Sequence, residues 1–294
     1  MAETPFDLAA TAAYAEWRQR KLDTAPRNLE DIVVELGDPR ELTFIERDRL
    51  LHLNAVANMA IYVGKTGRDP DKEIPRQLGA QLGLRTLDNH WLTDGDAISP
   101  ISVRGAEVRG ERREFIPYTN KPIRWHTDGY YNVPEHTVRG LLLHCVESAD
   151  AGGENQLLDH EIAYILLRDE NPDFIRALSA PDVMTIPPRR DERGVARARQ
   201  PGPVFSIDQN GFLHMRYTAR TVSIEWKADA ATEAARTALE RVLATTTPWT
   251  LRGRLEPGMG LVSNNVLHDR AGFAETPERR RLLYRARYYE RVSG

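Results

Sequence analysis

Apolar residues recur at helical spacing through the first part of the chain and then give way to short extended runs. Phe6, Leu8, Ala12, Tyr14 and Trp17 are spaced for one helix, and residues 28–36 for a second. Thr43 is placed to cap a third, which runs through Leu50 and Leu53 to Met59. The pattern therefore predicts a helical segment over residues 1–58, then a first strand at 60–63 and a helix at 72–82, with Gly83 near its end. From about residue 98, short extended runs follow at 98–103, 124–128, 138–146, 156–159, 183–186, 204–207, 211–216, 249–252, 260–263 and 281–289. Asp208-Gln-Asn-Gly211 is a hairpin signal. Helical inserts interrupt at 160–176, broken around Asn171-Pro172, and at 228–245. Many short strands with helices outside them predict a mainly-β fold with peripheral helices: a double-stranded β-helix (jelly-roll) core behind a helical N-terminal region, in a single domain over 1–294.

Composition narrows the setting. With 294 residues, 41% hydrophobic and 28% charged, the chain reads as a soluble globular protein with a large core. A net charge of −3 gives no broad basic footprint for nucleic acid. The single cysteine, Cys145, precludes an intrachain disulfide and suits a reducing compartment. The first residues lack the basic start and apolar run of a signal peptide, and no run approaches the ~18 apolar residues of a membrane span. The expectation is a cytoplasmic enzyme acting on something small and polar.

The candidate chemistry lies in Ile123-Arg-Trp-His-Thr-Asp-Gly-Tyr-Tyr131. Strand side chains alternate, so one residue between His126 and Asp128 places both on one side of an extended strand. His268, far downstream in Val266-Leu-His-Asp-Arg270, adds a second imidazole. Two imidazoles and one carboxylate form the facial triad of non-haem Fe(II) oxygenases, which leaves adjacent metal positions open. The bland alternative is three unrelated strand residues. Of the other histidines, His52, His90, His136, His160 and His214 lie in helical, loop or turn contexts, and only His144, on a strand, is kept as a reserve ligand.

Around the triad stand Trp125 before the first histidine, Ala151-Gly-Gly-Glu-Asn155 after the next strand, and an arginine-rich run, Arg279-Arg-Arg-Leu-Leu-Tyr-Arg-Ala-Arg287, after the second histidine. In this order they resemble the taurine dioxygenase and 2,4-D dioxygenase (TauD/TfdA-like) family of Fe(II)/2-oxoglutarate oxygenases, over residues 61–289. The resemblance implies Fe(II), 2-oxoglutarate and O2, with release of succinate and CO2. It assigns His126, Asp128 and His268 to the metal, as ligands and catalytic centre, and Arg281 to the distal carboxylate of 2-oxoglutarate. A guanidinium fork suits that role because it meets a carboxylate with two parallel hydrogen bonds. Asn155 stands where the family has a hydroxyl residue that helps hold 2-oxoglutarate. The presence of Asp128 sets the chain apart from halogenating relatives, which lack this carboxylate.

On the substrate side the resemblance points to Arg285, of the same strand parity as Arg281, as an anion partner, with Gly129 and Tyr131 lining the pocket. Arg279 and Arg287 share that parity nearer the strand ends, Arg280 faces out, and a slip of one residue would invert every assignment. Asn120 and Lys121 lie close enough in sequence to reach the pocket, Arg270 reads as a structural partner for an acid, and the polar 187–201 insert reads as a lid or a solvated loop. The leading expectation is hydroxylation of a small polar or anionic metabolite. A non-catalytic metal-binding jelly roll, a cupin-like sensor or binding protein, is the alternative. A protein residue or modified nucleoside as substrate is the third. The expected partner is a small molecule, with no nucleic acid and no membrane; a homo-oligomer is compatible with the resemblance.

Overall fold

Two β-sheets share one apolar interior. The computed structural model describes residues 4–89, 95–103, 116–191, 194–220 and 224–294. Ten central strands run in turn as β1 (Val33–Leu36), β2 (Met59–Gly64), β3 (Ser99–Ile101), β4 (Ile123–His126), β5 (Gly140–Glu147), β6 (Asn155–Leu158), β7 (Leu251–Gly253), β8 (Met259–Ser263), β9 (Leu267–Arg270) and β10 (Leu282–Tyr288). The larger sheet has the order β1-β2-β8-β5-β10-β3, and the smaller β7-β6-β9-β4. Only the β1–β2 pairing among these is parallel.

Strand alternation divides the apolar residues between two cores. Leu157 on β6 packs with Ile61, Leu143 and Leu261 of the larger sheet, so that face of the smaller sheet is turned inward. Its neighbour Leu158 joins Ile162, Leu167 and Leu239 in a second core. Those residues come from α4 (His160–Glu170) and α6 (Ala230–Ala244), which cover the outer face with α5 (Pro172–Leu178). Because His268 pairs directly with Leu157 on one side and His126 on the other, both histidines take the inward face.

The N-terminal region departs from the helical expectation. α1 (Thr11–Thr24), α2 (Phe44–Ala57) and α3 (Glu73–Gln81) are helices, and Thr43 caps the second by the reciprocal bonds expected of a Thr-x-x-Glu box. Residues 28–36 are not a helix, however. A short 3-10 turn, Leu29–Ile32, leads into β1, which pairs with β2. Val34 and Leu36 are buried while Glu35 is exposed, so the apolar positions that suit a helix also satisfy a period of two, and two β-branched valines favour the strand. The hairpin at 208–211 forms as expected, with Gly211 at φ 83°, and Asn171 with Pro172 ends α4 and caps α5. His90 lies outside the described residues. No helix among the described residues is long and apolar enough to cross a membrane.

Candidate metal centre and active site

His126, Asp128 and His268 converge, with one ligand atom from each lying within 4.8 Å of the others. The two imidazole rings are 4.2 Å apart, and His126 Nε2 lies 3.7 Å from Asp128 Oδ1. Each ring is oriented the same way. His126 Nδ1 is 2.9 Å from the carbonyl of Arg124, and His268 Nδ1 is 3.0 Å from the carbonyl of Val266. A carbonyl only accepts, so Nδ1 carries the proton in both rings and the Nε2 lone pairs are left for a metal. Asp128 Oδ2 is buried without a hydrogen bond, although Arg285 Nη1 stands 3.3 Å away. Two bare imidazole nitrogens and an underused carboxylate oxygen fit a divalent ion with an open face.

The route to this geometry differs from the one expected. The strand ends at His126, so Asp128 is not a strand residue. Thr127 is held extended by the bond of its N–H to the Tyr217 carbonyl, and the chain turns at Gly129, whose φ is 69°. A Cβ at Gly129 would meet Val138 Cγ2 at 2.4 Å, so both backbone and space require glycine there. Asp128 itself is fixed by Asn265, which the sequence reading passed over. The Asp128 N–H donates to Asn265 Oδ1 at 2.8 Å, and Asn265 Nδ2 donates to the Asp128 carbonyl at 2.9 Å.

The surroundings keep Asp128 and His126 unprotonated. Burial would push the Asp128 carboxyl up, but Arg285 and Arg287 outweigh it and hold the group well below the usual carboxylate range. Burial, then the neighbouring His268, pulls His126 down to about 3. Burial also pulls His214 down to about 3 and His144 to about 4. For all three the folded chain disfavours the charged form that the unfolded chain accepts near pH 6.5, so stability is full above that pH and declines as acid is added. The thermal midpoint of the metal-free protein should therefore fall steadily from pH 6.5 towards pH 4; a flat profile would contradict this assignment.

A second polar cluster lies beside the triad. Asn155 and Leu255 line an interior space with His268, Leu143 and Leu157, and line a further cavity with Arg281, Gly152 and Gly153. Asn155 thus stands between His268 and Arg281, although its Nδ2 already donates to the Asp269 carbonyl at 2.5 Å. Arg281 is 6% exposed, and its guanidinium lies 5.2 Å from the Phe273 ring. Among the described residues no carboxylate is within ion-pair distance of it, and burial lowers its pKa to about 10.

On the other side of Asp128, Arg285 faces the triad from β10, paired across the sheet with Leu143. Arg287, expected to lie nearer the strand end, is 2% exposed, bound to Asp88 at 2.5 Å, and donates to the Tyr131 hydroxyl at 2.8 Å. Arg197 rests 5.5 Å from the Tyr131 ring. No local pattern marks Asp88, whereas Arg197 belongs to the 187–201 insert read above as a lid or a solvated loop. Arg280 is exposed as expected, and Asn120 is exposed, its carbonyl accepting from Phe273. Among the described residues Arg270 pairs with no acid; it donates to the carbonyls of Pro117, Thr119 and Lys121 and so fixes the loop before β4. His144 is excluded from the centre: it stacks on Tyr62 with Nδ1 2.9 Å from that hydroxyl, on the face of β5 opposite Leu143. A cavity of about 420 Å³ lies between the smaller sheet's outer face and α6, lined by Trp125, Glu240 and Asp269; the triad does not line it.

The family model for taurine catabolism dioxygenase TauD, TfdA family, matches residues 93–287. The chain belongs to this family. A uridine-5′-phosphate dioxygenase of an Amycolatopsis species is 34% identical over 193 residues, covering 63% of this chain and 68% of that protein. A second, from a Streptomyces species, is 32% identical over 202 residues, with the same coverage. The fold matches the non-haem iron oxygenase OrfP in complex with Fe, succinate and (3S)-hydroxy-L-Arg, at TM-score 0.62 and 17% identity over 86% of this chain and 87% of that one. It also matches asparagine oxygenase in complex with Fe(II), 2S,3S-3-hydroxyasparagine and succinate, at TM-score 0.60 and 14% identity over 98% and 86%. This TauD/TfdA-family protein is an Fe(II)- and 2-oxoglutarate-dependent dioxygenase.

Proposed function

We propose that this dioxygenase oxidises a small anionic metabolite, with a phosphate-bearing molecule the first candidate, from a single jelly-roll domain formed by its two sheets. His126, Asp128 and His268 hold the iron, and Arg281 with Asn155 receives 2-oxoglutarate. Bound there, iron and 2-oxoglutarate would let O2 oxidise a substrate C–H bond, one oxygen atom going to the product and the other to succinate, with CO2 released. The protein's own part is orientation and charge. The Nδ1–H bonds fix the two rings, and Arg281 offers a buried fork to a distal carboxylate.

The observation that carries the anionic substrate is the Arg285 guanidinium, 11% exposed, which faces the triad and whose ion-pair partner among the described residues is the metal ligand Asp128. A metal takes up that carboxylate's charge, so Arg285 is left to pair with an incoming anion. Tyr131, Gly129, Arg287 and Arg197 then form the wall beside it, while Asn120 is exposed and no hydrogen bond of its side chain reaches that wall among the described residues. The relatives named for uridine-5′-phosphate support phosphate as the anion.

The test begins with anaerobic Fe(II) and 2-oxoglutarate, followed by visible absorbance, then by succinate formation with uridine 5′-phosphate and with uridine. A metal-to-ligand charge-transfer band together with phosphate-dependent succinate formation is the expected result. Iron binding with no such band would favour a metal-binding protein without oxygenase chemistry. A normal band with phosphorylated and unphosphorylated substrates used equally would remove the anionic class alone. Arg285→Ala is expected to raise KM for the anionic substrate by about 30-fold or more, the range for truncating one member of a buried charge pair, while the band persists.

A further inference from the structure

We propose that Asn265 is a positioning residue for the metal centre: its side chain stands in for a missing strand and fixes the Asp128 carboxylate against His268. The inference rests on the reading of His126, Asp128 and His268 as metal ligands. β4 ends at His126, so the Asp128 backbone has no strand neighbour to bond. Asn265 supplies both halves of that bonding, accepting from the Asp128 N–H at 2.8 Å and donating to the Asp128 carbonyl at 2.9 Å. Its remaining amide hydrogen goes to the Val138 carbonyl at 2.7 Å. Val138 is the residue packed against Gly129, where the chain turns. One acceptor and two donors are thus all engaged, a pattern that only a carboxamide of this length presents.

The backbone supports the same reading. Asn265 is 1% exposed and sits at φ 55°, the left-handed region that disfavours a side chain other than glycine and, to a lesser degree, asparagine. This conformation aims the amide across to Asp128 while the chain continues into β9, where His268 stands three residues later. The two ligand-bearing segments, distant in sequence, are therefore joined by one side chain as well as by the His126–His268 pairing.

Asn264 provides the control. It is equally buried and has an equally full set of bonds, its Nδ2 donating to the Asn54 carbonyl and Asn58 Oδ1, and its Oδ1 accepting from the Val292 N–H. None of these partners is a metal ligand. The experiment measures Fe(II) and Co(II) affinity by titration of the purified protein, alongside the thermal midpoint, for Asn265→Gly, Asn265→Asp and Asn264→Ala. Asn265→Gly relieves the left-handed backbone and deletes the clamp; Asn265→Asp keeps the acceptor and loses both donors.

The expected result is a roughly 10- to 100-fold weaker metal affinity in both Asn265 variants, the loss usual when a partner orienting a metal ligand is removed. Asn264→Ala should lower the midpoint but bind metal as the unaltered protein does. Wild-type metal affinity in a folded Asn265 variant, equal weakening in Asn264→Ala, or failure of both Asn265 variants to fold would each overturn the proposal in favour of a purely structural asparagine. No metal binding by the unaltered protein would instead overturn the triad reading on which it rests.

Discussion

His268→Ala is expected to leave a folded protein that binds Fe(II) at least 100-fold more weakly, forms no charge-transfer band with 2-oxoglutarate, and makes no succinate. Loss of a direct ligand must exceed the 10- to 100-fold effect of losing an outer partner. The reasons are local. His268 is opposite His126 in the β9–β4 register, its ring is oriented by the Val266 carbonyl, and its Nε2 has no other task among the described residues. Alanine there leaves one imidazole and one carboxylate, which hold a divalent ion loosely and no longer define one face. His144→Ala is the matched comparison: it removes a fully buried imidazole from the other side of β5 and should destabilise the fold without touching metal affinity. Equal metal binding by wild type and His268→Ala, measured by isothermal titration under anaerobic conditions, would remove the triad assignment.

Arg281→Ala is expected to weaken 2-oxoglutarate binding by roughly 30- to 5000-fold, the range for taking one partner from a buried charged pair, while Fe(II) affinity stays unchanged. The companion effect is on stability. A guanidinium 6% exposed, with no carboxylate in ion-pair reach among the described residues, costs the folded state desolvation that the Phe273 ring and the more distant Glu275 offset only in part until an anion arrives. Removing it should therefore leave the ligand-free thermal midpoint unchanged or raised. A structural arginine would behave in the opposite way, its loss lowering the midpoint with or without ligand. Arg281→Lys should recover part of the affinity, since an ammonium restores charge but not the planar fork. A thermal-shift series with and without 2-oxoglutarate reads both effects, and a lowered midpoint with intact 2-oxoglutarate binding would end the assignment.

Much of this site could be read before any coordinates. The chemistry of a ligand set depends on residue type, and His126, Asp128 and His268 carry it in their side chains. Strand parity also reaches part of β10: Arg285 and Arg287 share the side turned toward Asp128, although both sides of the strand are buried, and Arg280, before the strand, is exposed. Glycine at 129 and 211 marked real turns because a positive φ is a local demand.

The tertiary structure decided what local pattern cannot carry. Residues 28–36 satisfy two periods at once, and only the presence of β2 alongside makes 33–36 a strand. Asp128 meets His126 from beyond the end of a strand, not from within it, because Thr127 is anchored on Tyr217 and Asn265 closes on the Asp128 backbone. Arg285 meets Asp128, and Arg287 meets Asp88, across wide separations in sequence that no local pattern spans. The physical division is plain: the sequence determines which groups are available and which way each strand presents them, since both follow from residue type and a period of two. Which groups meet is determined by sheet register and loop closure, long-range choices that no local period encodes.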